Sequence, residues 1–105
     1  MDAPALLIYS MGGLRLRFDF RQLSQEGRGS VHAEADGLEL RYVIGEKPKT
    51  EKDAPIHFFS SKAHFFMEFA EEHRGKKVYV FARWKNNVKE SLSGPWCAVV
   101  EGMIF

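Results

Sequence analysis

Apolar and polar residues alternate with period two over several stretches of this chain. That period puts successive side chains on opposite faces of a strand, one toward a core and one toward water. The clearest case sets Leu14, Leu16, Phe18 and Phe20 against Arg15, Arg17, Asp19 and Arg21. A second sets Leu38, Leu40, Tyr42 and Ile44 against Glu39, Arg41 and Val43. Val78 to Trp84 is apolar at every position until Arg83, which predicts a strand covered on both faces. Val31 to Ala35 reads as a short strand and Trp96 to Phe105 as a final apolar run.

Ile56 to Ala70 admits two readings. Phe65, Phe66, Phe69 and Ala70 sit at helical spacing. Phe65, Met67 and Phe69 also alternate with Phe66 and Glu68, and aromatics crowd both sides of Ser60-Ser61. Two strands are the expectation, with a helix at the end of the segment as the alternative.

Turn formers separate these runs. Gln25 to Ser30 is polar with two glycines. Lys47 to Pro55 is charged and carries two prolines, which cannot donate to a ladder. Gly75, Asn86-Asn87 and Ser93-Gly94-Pro95 punctuate the rest. Six or seven short strands in 105 residues predict one domain, 1–105, folded as an all-β Greek-key sandwich of two sheets. A small closed barrel is the structural competitor.

Composition agrees with a packed β domain. Apolar residues make up 45% and aromatics 13%, enough for a core on pleated surfaces. Net charge is +1, and signs alternate from Glu46 to Asp53, so no basic stripe for nucleic acid is expected. Ala5 to Tyr9 is too short to span a membrane and lacks the flanks of a signal peptide. Soluble, cytoplasmic behaviour is the expectation. A single cysteine, Cys97, rules out an intramolecular disulfide.

Chemistry finds little support. His32, His57, His64 and His73 lack the close pairing of a zinc site. Cys97 lies in an apolar run and reads as a buried thiol, not a nucleophile. Ser60 and Ser61 lack the glycine-flanked elbow of a serine hydrolase. Glu71-Glu72 reads as a solvated corner, and Arg15, Arg17 and Arg21 as a polar exterior balanced by Asp19 and Glu39. No cofactor, metal or catalytic residue is expected.

The segments Arg74 to Asn87 (RGKKVYVFARWKNN) and Ser93 to Phe105 (SGPWCAVVEGMIF) resemble the end of a fibronectin type III domain. More closely, they are similar to the C-terminal domain of a family of uncharacterised bacterial proteins, whose sandwich ends in a pattern like RGK-x-VYF-x-x-RWEN…GPWS. Gly37 to Lys47 resembles that family's middle strand. Here Cys97 replaces the usual Ser and Lys85 the usual Glu, and the family's helical N-terminal part is not expected in this stretch. The resemblance implies an immunoglobulin-like, fibronectin type III-like sandwich and no activity. It also implies that a strand tyrosine, here Tyr79, bonds back to the preceding corner. If Val78, Val80 and Ala82 face inward, Tyr79 and Phe81 face outward.

Arg83, Trp84 and Trp96 are the candidate partner-binding or stacking surface. Arginine over an aromatic ring forms a cation–π stack, and both residue types are enriched at binding hot spots. The expected function is a protein-interaction or spacer module, with a homodimer through an edge strand as a further expectation. The alternatives are a carbohydrate-binding accessory module, marked by an exposed row of Trp or Tyr, and a small-ligand barrel or enzyme, marked by a deep pocket.

Overall fold

A computed structural model describes residues 3–21, 35–89, 91 and 93–105. The expected loop at Gln25–Ser30, His32 and nearly all of the expected strand at Val31–Ala35 lie outside the described residues.

Seven strands follow one another: β1 (Ala5–Gly12), β2 (Arg15–Arg21), β3 (Gly37–Ile44), β4 (Ile56–Ser60), β5 (His64–Glu68), β6 (Lys77–Lys85) and β7 (Val100–Met103). They form two antiparallel sheets, ordered β1-β2-β5 and β4-β3-β6-β7. The chain changes sheet after β2, after β4 and after β5, which makes an immunoglobulin-like sandwich. No ladder joins β1 to β7 or β4 to β5, so the sheets stay open and the barrel alternative falls.

Alternation along β2 and β3 decides which residues meet. Leu16, Phe18 and Phe20 face Leu38 and Leu40, and all five are fully buried. Val78, Val80, Ala82 and Trp84 of β6 enter the same core, with Trp84 only 1% exposed. Each large apolar side chain buried there stabilises the fold by roughly 1.5–3 kcal/mol. Phe65 of β5 joins the core to its side, its ring centroid 5.3 Å from Phe18, 5.7 Å from Phe20 and 5.5 Å from Phe58.

The helix alternative at Phe65–Ala70 is overturned, because Phe65 and Met67 pair with β2 at Phe18 and Leu16. A helix there would leave β2 without its second neighbour. Trp96 to Val99 precede the last strand instead of belonging to it. That stretch still follows β6: Gly94 N donates to Trp84 O at 2.9 Å and Cys97 N to Ala82 O at 2.8 Å.

The β1–β2 hairpin turns through Gly13 and Leu14 at φ +63° and +66°. A two-residue hairpin with both central residues left-handed matches the strand twist, but leucine adopts that conformation at a cost. Tertiary bonds hold it there. Leu14 N donates to Phe105 O at 2.8 Å, and Leu14 O accepts from Phe69 N at 2.9 Å.

Candidate functional site

The outer faces of the two sheets are built differently. On β6 the outward residues are Tyr79, Phe81 and Arg83, yet Tyr79 is only 9% and Phe81 5% exposed. The loop between β3 and β4 folds back on this side. Its Pro48 and Ala54 are buried, and Arg41, paired with Phe81 across the ladder, donates Nε to Ala54 O at 3.0 Å. Val78 and Val80 face the core, so Tyr79 and Phe81 do face outward, but into a second buried layer. Tyr79 makes no side-chain hydrogen bond to the preceding corner among the described residues, which departs from the tyrosine role expected of it.

Arg83 Nε donates to Glu39 Oε1 at 2.6 Å, and its guanidinium lies 4.9 Å from the Trp96 ring centroid. Arg83 and Glu39 side chains are 20% and 19% exposed, so the ion pair is largely withdrawn from water. Trp84 is not part of this cluster. It points into the core, because adjacent residues on a strand face opposite ways. The expected three-residue surface is therefore a two-residue stack closed by Glu39.

Among the described residues, the outer face of β1, β2 and β5 is open. Leu7, Tyr9, Met11 and Phe66 are 41%, 43%, 53% and 52% exposed. Tyr9 and Phe66 flank Arg17 in register, one on each neighbouring strand. The Arg15 guanidinium lies 4.7 Å from the Phe66 centroid and that of Arg17 5.7 Å from the Tyr9 centroid. Two arginines thus lie over two rings and stay partly in water. Large apolar residues at this exposure, gathered on one face, mark interaction surfaces more often than scattered ones do.

Asp19 is the exception on this face, only 3% exposed. Its Oδ1 accepts from Arg17 Nε and from His64 Nδ1, each at 3.0 Å. Burial by itself raises a carboxyl pKa, but the hydrogen bonds from His64 and Arg17, with the Arg17 charge, outweigh it and hold Asp19 below its ordinary 3.8. Ionised Asp19 then acts as the pin that orients Arg17 and His64.

The other candidate groups do not converge. His57 lies outward on β4, and His64 on the other sheet. No group of three His, Cys, Asp or Glu suited to a metal occurs among the described residues. Ser60 Oγ donates to Lys62 O at 2.8 Å and accepts from Lys62 N at 3.1 Å, a turn role. Cys97 Sγ accepts from Ala82 N at 3.4 Å, and burial pushes the thiol pKa up, which makes thiolate scarce near neutral pH. Glu71 pairs with Arg74 through two bonds of 2.7 and 2.8 Å at an exposed corner. An open groove of about 240 Å³ runs beside β4, lined by Glu39, His57, Phe58, Phe59, Lys85 and Asn87. That is below the roughly 300–1,000 Å³ of ordinary small-molecule sites, while a second open hollow of about 440 Å³ beside the β3–β4 loop, lined by Val43, Glu46, Lys47, Pro48, Lys49 and Asp53, falls within that range.

No family model matches the chain, and no curated protein matches it.

Proposed function

We propose that this domain is a non-catalytic protein-interaction module of the fibronectin type III kind, binding through the outer face of β1, β2 and β5. The observation that carries this reading is the set of half-exposed apolar side chains Leu7, Tyr9, Met11 and Phe66 around Arg15 and Arg17. Arg15 makes no ion pair among the described residues, while the one carboxylate on β2, Asp19, is covered. Exposed Glu68 of β5 lies opposite Arg15 in register, so the face is apolar with charges of both signs interspersed, and it suits a protein surface that sets mixed charges beside apolar groups. The exposed row of Trp or Tyr that a sugar platform needs is weakly represented: Trp84 is in the core and Trp96 lies against Arg83.

The test is affinity capture from the source lysate with the tagged domain and two variants, each checked by circular dichroism to be folded. One is Arg15→Ala with Phe66→Ala, the other Arg83→Ala with Trp96→Ala. A protein retained by the native domain and the second variant but lost by the first supports the reading. Loss by the second variant alone moves the site to the Arg83–Trp96 stack. Retention of nothing sinks the interaction reading.

A further inference from the structure

We propose that Met103–Phe105 is a strap that grips the β1–β2 turn, that strap and turn open together as one local unit, and that their closure sets the Arg15–Phe66 contact. The three residues reach three separate parts of the fold. Met103 O accepts from Ser10 Oγ of β1 at 2.7 Å. Ile104 N donates to Lys76 O at 2.9 Å, and Ile104 O accepts from Gly75 N at 2.7 Å, at the corner that leads into β6. Phe105 O accepts from Leu14 N at 2.8 Å, in the turn of the other sheet. The Ile104 side chain anchors the strap, fully buried in the core. Gly102, one residue earlier, lets the chain come this close: a Cβ there would lie 2.6 Å from Ile8 Cγ2 and 3.3 Å from Leu16 Cδ1.

Leu14 is where the strap meets strain. Its φ of +66° is a left-handed shape that leucine disfavours, so the turn by itself tends to relax out of it. Its backbone groups do not need water, because distant segments take both. Leu14 N goes to Phe105, and Leu14 O accepts from Phe69 N at 2.9 Å. Strain at Leu14 favours release, while burial of Ile104 favours grip. The turn therefore has two arrangements, strapped and relaxed, and the strap sets the balance between them.

Release reaches the outer face through the residues beside Leu14. Arg15 is the next residue, and its pairing with Glu68 is the last of the β2–β5 ladder, where fraying begins. Its guanidinium lies 4.7 Å from the Phe66 centroid. Phe69, three residues beyond Phe66, is itself held by Leu14 O. Leu14 thus ties the start of β2 to the end of β5, and losing the strap loosens both members of the Arg15–Phe66 stack. The device works in the free chain, whether or not the face binds a partner.

Amide hydrogen exchange of the whole chain, read residue by residue by NMR, tests this. Leu14, Phe69, Gly75 and Ile104 should share one opening equilibrium. They should exchange faster than Leu40 and Val80, each flanked by strands on both sides. Ser10→Ala removes the Met103 bond at an exposed position. It should raise opening of all four amides by about fivefold, the worth of one hydrogen bond, with Leu40 and Val80 unchanged. Ile104→Ala removes the anchor and should raise opening at least about thirtyfold, the low end for a buried isoleucine. In that variant the nuclear Overhauser contact between Arg15 and the Phe66 ring should vanish. Should Ile104→Ala fail to fold, Ser10→Ala decides, with the same contact weakened in proportion. Three results overturn the proposal: faster exchange at Gly75 and Ile104 without Leu14 and Phe69, equal acceleration of Leu40 and Val80, or an undiminished Arg15–Phe66 contact once the four amides have opened.

Discussion

The two sheets of this sandwich both turn large side chains outward, but only one of them leaves those side chains in water. On the four-stranded sheet, Tyr79 and Phe81 are buried, the neighbouring Arg41 is bonded to the returning loop at Ala54, and Arg83 is held between Glu39 and Trp96. On the three-stranded sheet, Tyr9 and Phe66 are half exposed, with arginines stacked over them and no loop above among the described residues. Like chemistry is thus enclosed on one face and exposed on the other among the described residues. What differs is the cover. An arginine–aromatic pair becomes structure when a carboxylate and a loop enclose it, and stays a surface when they do not.

The largest test of this contrast compares two phenylalanines. Phe81→Ala should cost about 3–4 kcal/mol, the range for a buried aromatic. Phe66→Ala should cost under about 1 kcal/mol, as exposed substitutions do. Urea unfolding at unchanged m-value reads both. Equal costs would mean that the four-stranded face is not enclosed. Gly37→Ala sharpens the same point. A Cβ there would clash with Ser60 O and lie 2.8 Å from the Phe59 ring, so β4 must shift. The expected cost is about 1–3 kcal/mol, the range for overpacking, again by urea unfolding.

On the open face, Asp19 supplies a pH signature. Its folded pKa is depressed, so its contribution to stability is fully present above 3.8 and is lost as pH falls through the folded value. Unfolding free energy followed from pH 5 downward should drop in the native domain and drop less in Asp19→Asn. Parallel curves would remove Asp19 from its pinning role. The smallest effect separates the two stacks. Double-mutant cycles should give Arg15 with Phe66 about 0.5 kcal/mol and Arg83 with Trp96 about 1 kcal/mol or more, because only the second is sheltered from water.

Much of the architecture was legible from periodicity. β2 and β3 sit where alternation puts them, with the predicted residues inward, and Ser60-Ser61 does divide two strands. The site was less legible, and for two distinct reasons. Grouping Arg83 with Trp84 overlooked a signal the sequence does contain, since neighbours on a strand cannot share a face. Leu7, Tyr9 and Met11 were hidden because β1 is apolar at nearly every position, which masks its period. The burial of Phe81 on its outward face left no local trace at all. Lys47 to Pro55 reads as solvated charge, yet its Pro48 and Ala54 are buried.

The sequence by itself determined the all-β class and the inward faces of β2 and β3. These follow from side-chain alternation and turn chemistry, which act between residues close in the chain. Only the tertiary structure decided which outward faces are covered. Cover depends on where a loop returns and which strand ends a sheet, and those are contacts between residues far apart in sequence. An outward Phe is interior at position 81 and surface at position 66.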